Sequence, residues 1–520
     1  MYLWHLVLKK RLLKEMFREP LVKKTIQLSI LFVALFVLCY FTKSYAAVPI
    51  ALYCIWAAFQ KRLGHVFVII LLLSFMVMLG PYVLIRDENF GKIVRLTVLL
   101  STCALLVSSG SLKGNERIPI QTIVFFLVAA FISSMNGWVP LLGYLKILNF
   151  ALFIFGIFLI TKDINVRYGD IFLIRAVVLA ISLIWVYGSL AVLPFPGVAY
   201  YTSLKGVVAS EGVEFASNYY TSMEYEGMSL FTGITIHSQF LGSLLACLFG
   251  ILTCDMLFVE KRLHPLHLAI LAPMPIMLYM TRARIGVLAF VVFIFVAIFV
   301  AIPLARLDND SRRRLKNLII LMSVIMIAIG VKFEIEHKSM SKLIRKTDDI
   351  AYDSRSLTRA ATESRYGTIE ECMRDFRMNP MFGMGFQMSE THRFLQKEGK
   401  LSYFSAPIDK GLLPLMILGE TGIVGAMVFL YFLCAFFSEC KKRGYVVTAT
   451  MMLVFLATNM AEATFFSPGG GGGVFWLITV GAGFVVDMAI RTKEGTIPLA
   501  SGVKLGMRPR AMRHRTRIRL

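Results

Sequence analysis

The chain has 520 residues, 57% of them hydrophobic and 17% charged, with 41 Phe, a mean hydropathy of +0.70 and a formal net charge of +23. A soluble chain of this length needs about a quarter of its residues charged to cover its surface, and here the apolar residues fall in blocks of about 20, the length that crosses a bilayer. That excludes a soluble enzyme, a disordered chain and a nucleic-acid-binding domain, and it predicts an all-α polytopic membrane protein.

Taken in chain order, the apolar blocks predict about 14 transmembrane helices, at 25–41, 46–59, 66–85, 93–109, 118–135, 139–160, 170–193, 237–259, 266–280, 285–305, 317–331, 412–437, 446–464 and 474–490. The basic stretch before the first block leads into many further spans, so it reads as an uncleaved anchor rather than a signal peptide. The chain then divides into a basic N-terminus (1–24), N-terminal membrane helices (25–193), a loop (194–236), central membrane helices (237–331), a long loop (332–411), C-terminal membrane helices (412–490) and a basic tail (491–520).

Orientation follows from the cations. With the N-terminus inside, thirty-two Lys and Arg fall in the inner segments and six in the short outer loops; the long loop 332–411 carries fourteen. Long loops translocate largely regardless of charge, so the short loops decide. Both termini are expected in the cytoplasm, and both large loops outside. The tail, ending RPRAMRHRTRIRL at 508–520, is then expected to meet anionic membrane lipid, each cation near such a surface contributing about 1 kcal/mol.

The loop 194–236 is acidic, with Glu211, Glu214, Glu224 and Glu226 against Lys205, and it carries Tyr200, Tyr201, Tyr219, Tyr220 and Tyr225. Such aromatics either stack on sugar rings or form an interfacial belt. In the loop 332–411, residues 356–378 read as a helix that stops before Pro380, because the residue preceding proline is pushed out of the α region. Ile369, Cys372 and Phe376 form its apolar stripe, with Arg365 in line. A glycine-punctuated stretch, NPMFGMGF (379–386), follows, and SPGGGGG (467–473) reads as a flexible connector between the last two spans.

Charges inside spans are rare and mark function. Thr281-Arg282-Ala283-Arg284 is a tight turn expected at the outer face, with Arg95, Lys146, Glu462 and His237 at similar depth; Lys146 stands about 10 Å into its span at 1.5 Å per residue. This set predicts a cationic outer cavity for a phosphate or pyrophosphate. The sequence has no HExxH, paired CxxC or Walker loop, so neither metal nor nucleotide cofactor is expected.

The turn TRARIG (281–286), the stretch RDFRMNPMFGMGF (374–386) and LGETGIVG (418–425) together resemble the O-antigen ligase and O-antigen polymerase family of bacterial surface-polysaccharide enzymes, over roughly residues 230–440. The resemblance implies a multi-pass protein of the bacterial inner membrane with a large helical periplasmic loop between late spans. It implies transfer of a glycan from undecaprenyl pyrophosphate to a sugar hydroxyl, with inversion and without metal. Its partners would be the lipid-linked glycan, membrane lipids, a flippase and a chain-length regulator. The family's essential arginines correspond to Arg282 and Arg284 and, further along, Arg365, with Lys410 as an added cation. Ligases carry a His-Asn pair where this chain reads Ala406-Pro-Ile-Asp-Lys-Gly411, which favours a polymerase over a ligase that decorates lipid A core or protein. A flippase or transporter is the remaining reading, disfavoured because the charges gather at one face and no repeat is visible. Candidates for the general base are His237, Asp409 and Glu420. The competing reading of His237 is an interfacial histidine bonded to backbone; that of Glu420 is a partner for Lys410 or a helix end.

Overall fold

The computed structural model describes residues 19–80, 88–109, 120–164 except 138, 168–199, 202–204, 219–221, 231–297 except 236, 262, 263 and 282, 313, 317, 366–388, 396–397, 412–460, 464–468 and 471–493. Its helices follow the apolar blocks closely: α1 (Pro20–Thr42), α2 (Ala47–Phe59), α3 (Leu63–Val77), α4 (Glu88–Ser109), α5 (Ile120–Asn136), α6 (Pro140–Ile164) and α7 (Tyr168–Ala191). After a two-stranded antiparallel ribbon, β1 (Thr202–Leu204) with β2 (Tyr219–Thr221), come α8 (Ser238–Cys254), α9 (Pro265–Leu271), α10 (Met274–Thr281) and α11 (Arg284–Val296). The late elements are α12 (Tyr366–Met378), α13 (Leu413–Arg443), α14 (Val446–Thr458), α15 (Gly471–Trp476) and α16 (Ala482–Lys493).

Among the described residues, seven helical spans are long and apolar enough to cross a membrane, and six shorter apolar helices accompany them. The protein is an all-α polytopic membrane protein, the small ribbon being its one departure among the described residues. The expected span at 317–331 lies outside them but for residue 317.

In hydrocarbon no water satisfies a stray polar group, so the chain must do so itself. Hydroxyls in the spans accordingly donate to the carbonyl one turn back, as Thr25 does to Leu21 (2.8 Å), Thr97 to Ile93 (2.7 Å) and Ser182 to Val178 (2.7 Å). The outward faces of α1 and α2 keep large apolar side chains exposed, among them Ile30, Phe41, Leu52 and Trp56; in a membrane protein such surface contacts lipid. The helix at the centre is α8, buried along nearly its whole length and continued by a buried π-helical turn, Asp255–Glu260.

Small residues let helices close on α8. Gly286 of α11 stands so near the backbone of Gly242 that a β-carbon would lie 2.5 Å from the Gly242 carbonyl carbon. The expectation of a flexible connector at 467–473 is overturned on the same physical ground. Gly471, Gly472 and Gly473 are buried and open α15, and a side chain on Gly472 or Gly473 would collide with the carbonyls of Thr464 or Pro468. Those glycines are there for close approach.

One end of the bundle is locked by charge. Arg175 on α7 forks onto Asp255, with Nε to Oδ1 at 2.7 Å and Nη2 to Oδ2 at 3.0 Å, and also donates to Glu260 (2.5 Å). His267 on α9 meets the same Asp255 carboxylate at 2.9 Å, and His264 meets Glu19 at 2.6 Å. Removing one partner of a buried pair leaves the other uncompensated, at about 3–5 kcal/mol. An exposed i,i+4 pair such as Arg443 with Glu439 is worth about 0.3–0.5 kcal/mol. Arg175→Ala is therefore expected to lower the melting temperature in detergent sharply, and Arg443→Ala to leave it nearly unchanged.

Candidate functional site

The two glycine-rich motifs meet at the opposite end of the bundle. α13 is broken at Gly422, whose φ of 63° and ψ of −166° leave the helix. An unbroken helix would pair the Ile423 and Val424 N–H groups with the carbonyls of Gly419 and Glu420. Here all four groups are redirected to residues 380–385. Ile423 N–H donates to Pro380 (2.9 Å) and Val424 N–H to Met381 (3.1 Å), while Met384 N–H donates to Gly419 (3.0 Å) and Gly385 N–H to Glu420 (2.9 Å). The chain after α12 is spliced into the gap in α13.

Two glycines make the splice possible. Gly383 has φ +66°, and a β-carbon on it would strike the Glu420 carbonyl; one on Gly422 would strike that of Met381. Both the left-handed backbone and the close approach require glycine. The Asn379 side chain tightens the approach by accepting from Phe382 N–H (3.2 Å). Below the splice, α12 ends at Met378, as Pro380 predicts. It turns Cys372 inward, with Ile369 and Phe376 half-buried and Arg374 and Arg377 exposed. Asp375 is buried as well, which the apolar stripe alone does not foretell.

The splice fixes Glu420. Its side chain is 2% exposed, and Oε2 accepts from Gln387 N–H at 2.7 Å. Gln387, at φ 55°, donates through its amide to Phe466 O (2.6 Å), and its own carbonyl accepts from the buried Lys146 Nζ at 3.0 Å. One residue earlier, Phe386 N–H donates to Ser133 Oγ (3.0 Å). A carboxylate and an ammonium thus hold the two polar faces of a single residue's backbone. Around them stand rings, with Phe386 against Phe466 at 5.0 Å between centroids and Phe429 against Phe466 at 5.7 Å. In such low-dielectric surroundings these bonds are strong, and leaving a member unpaired is costly.

At the same end, α8 and α11 begin side by side, since Gly242 and Gly286 touch a few residues inside each. The chain before α11 is pinned by Thr281, which donates to Leu278 O (2.7 Å) and accepts from Ala283 N–H (3.2 Å). Phe231 N–H reaches Met280 O (3.4 Å). Arg284 opens α11, although its side chain, like the whole of Arg282, lies outside the described residues. His237 caps α8: its Nδ1 accepts from Gln239 N–H at 3.1 Å, so it is bonded to backbone. In the neutral ring the proton then sits on Nε2, which acts as a donor.

Of the residues singled out by sequence, Glu420 sits at the splice, and His237 and the start of α11 at neighbouring helix ends. Arg365, Asp409, Lys410 and Glu462 lie outside the described residues. Sequence reasoning missed Gln387, Ser133 and the Phe466 carbonyl; the signal within reach was Lys146, a cation inside a span, which demanded a buried acceptor.

The family model described as O-antigen ligase matches residues 268–430, the stretch in which the three motifs that resemble that family lie. The matched stretch holds the 281–284 turn, α12, the splice and Glu420. No curated protein matches the sequence.

The splice separates two costs. Gly444 ends α13 at φ +64° with only Arg491 nearby, at 3.7 Å from a β-carbon, so Gly444→Ala adds backbone strain of about 1–2 kcal/mol. Gly422→Ala adds a collision with the Met381 backbone as well. Thermal unfolding in detergent is expected to show a clearly larger loss for Gly422→Ala.

Proposed function

We propose that the protein is a polysaccharide polymerase of the bacterial inner membrane, both termini cytoplasmic, working at the periplasmic face. It transfers a glycan from undecaprenyl pyrophosphate to a sugar hydroxyl of another lipid-linked repeat unit. The observation that carries this reading is the splice: it brings two stretches of the matched segment onto one buried carboxylate, Glu420, at the bundle end where α8 and α11 begin.

In this reading the acceptor hydroxyl attacks the anomeric carbon from the face opposite the pyrophosphate. The new C–O bond forms as the old one breaks, and its electron pair leaves with the diphosphate, so the configuration inverts. Arg282 and Arg284, with Arg365 and Lys410, neutralise the charge that develops on the leaving group, preorganised donors of this kind being worth about 3–4 kcal/mol each. The hydroxyl's proton goes to a base, a role worth about 10²–10⁴ in rate. Of the two described candidates, Glu420 is the better base. Its carboxylate is oriented by Gln387 N–H, whereas the acceptor nitrogen of His237 is engaged in capping α8. Asp409 remains the alternative base.

The second reading is a ligase that attaches the glycan to lipid A core or protein, favoured by the name of the matched family. Purified protein supplied with a short undecaprenyl-pyrophosphate glycan is expected to yield longer lipid-linked products. Arg282→Ala, Arg284→Ala and Glu420→Gln are each expected to lower that rate at least about 10²-fold while the protein still inserts. Products that lengthen only when lipid A core or an acceptor protein is added support the ligase, and wild-type rates in all three variants overturn both.

A further inference from the structure

Arg95 stands apart from the splice. It lies on α4, and its Nε is buried without a hydrogen-bond partner among the described residues. Its guanidinium bends back toward the start of α4, with Nη2 3.6 Å from where a β-carbon on Gly91 would stand. A cation near a helix N-terminus also opposes the helix dipole. Such a group calls for an anion.

The opposing helix supplies a matching feature. α4 and α6 pack closely, and Gly156 of α6 lies against the Thr102 side chain of α4. Two reversals of the chain separate these helices, so they run parallel. Seven residues back on each, about 10.5 Å nearer the start at 1.5 Å per residue, stand Arg95 and Asn149. Asn149 Oδ1 is likewise buried without a partner among the described residues. An unused donor and an unused acceptor thus share one level of one seam. Leu96 and Leu100 on α4, and Tyr144 and Leu148 on α6, are exposed beside it, which in a membrane means contact with acyl chains. Lys146, one turn from Asn149, is directed instead to Gln387, so the seam is distinct from the Glu420 site.

We propose that Arg95 and Asn149 form a lipid site between α4 and α6 that holds an anionic phospholipid by its headgroup. Arg95 takes the phosphate, Asn149 Oδ1 accepts from a headgroup hydroxyl, and the acyl chains run down Leu96, Leu100, Tyr144 and Leu148. Phosphatidylglycerol carries both a phosphate and free hydroxyls and is the probe of choice.

The test uses the full chain in nanodiscs of phosphatidylcholine alone or mixed with phosphatidylglycerol, reading retained lipid by native mass spectrometry and the melting temperature by intrinsic fluorescence. The wild type is expected to retain phosphatidylglycerol over phosphatidylcholine and to melt higher in the mixed disc. Arg95→Gln is expected to weaken retention about tenfold or more, the scale of one buried charge-assisted hydrogen bond, and Asn149→Leu to weaken it less while packing normally. Equal retention by wild type and both variants overturns the site. So does an equal loss of stability for Arg95→Gln in both lipids, which would mean that Arg95 is held within the protein. Displacement of the bound lipid by undecaprenyl pyrophosphate, and not by inorganic phosphate, would reassign the seam to the glycan donor.

Discussion

The rest of the site depends on a helix that surrenders two of its own hydrogen bonds. At Gly422 the ladder of α13 opens, and the two donors and two acceptors released are taken up by residues 380–385. An unpaired backbone group in a membrane costs several kcal/mol, so the break exists only with its partner in place. The same exchange that ties the chain after α12 to the bundle therefore sets the position of Glu420, of Gln387 and, through Gln387, of Lys146. A buried carboxylate can be held at a defined point because its own backbone is fixed from both sides.

The two ends of the bundle use charge differently. At one end Arg175 pairs with Asp255 and Glu260, and His267 meets the same Asp255 carboxylate, so the cluster works as a fastening between α7, α8 and α9. At the other, Glu420 and Lys146 act on opposite faces of one backbone residue, and Arg284 and His237 stand at helix starts. The groups at this end that the structure describes are held in place beforehand, with little freedom to reorganise.

Much of this was legible in the sequence, for stated reasons. Span positions follow from apolar length, and the end of α12 follows from Pro380. The motifs that resemble the O-antigen family are stretches where glycine spacing constrains the backbone, and the matched segment contains all three. What could not be read was pairing. Residues 380–385 and 419–424 lie about forty positions apart, and their bond is between backbones, so no side-chain pattern announces it. Gly383 was visible as part of a glycine-punctuated stretch, but the partner that requires it was not. The run at 467–473 misled because glycine composition has two causes, freedom and close approach, and only packing tells them apart. The burial of Asp375 was not foretold, because an amphipathic pattern leaves acids to the open face.

The central claim is that the chain after α12 is bonded into the gap of α13 rather than lying over it. Amide hydrogen exchange of the full protein in lipid nanodiscs, read on peptides spanning 380–388, tests it directly. The Met384 and Gly385 amides, which have no helix of their own to protect them, should exchange as slowly as those in the middle of α8. Exchange at the rate of exposed chain would contradict the splice, and with it the placement of Glu420.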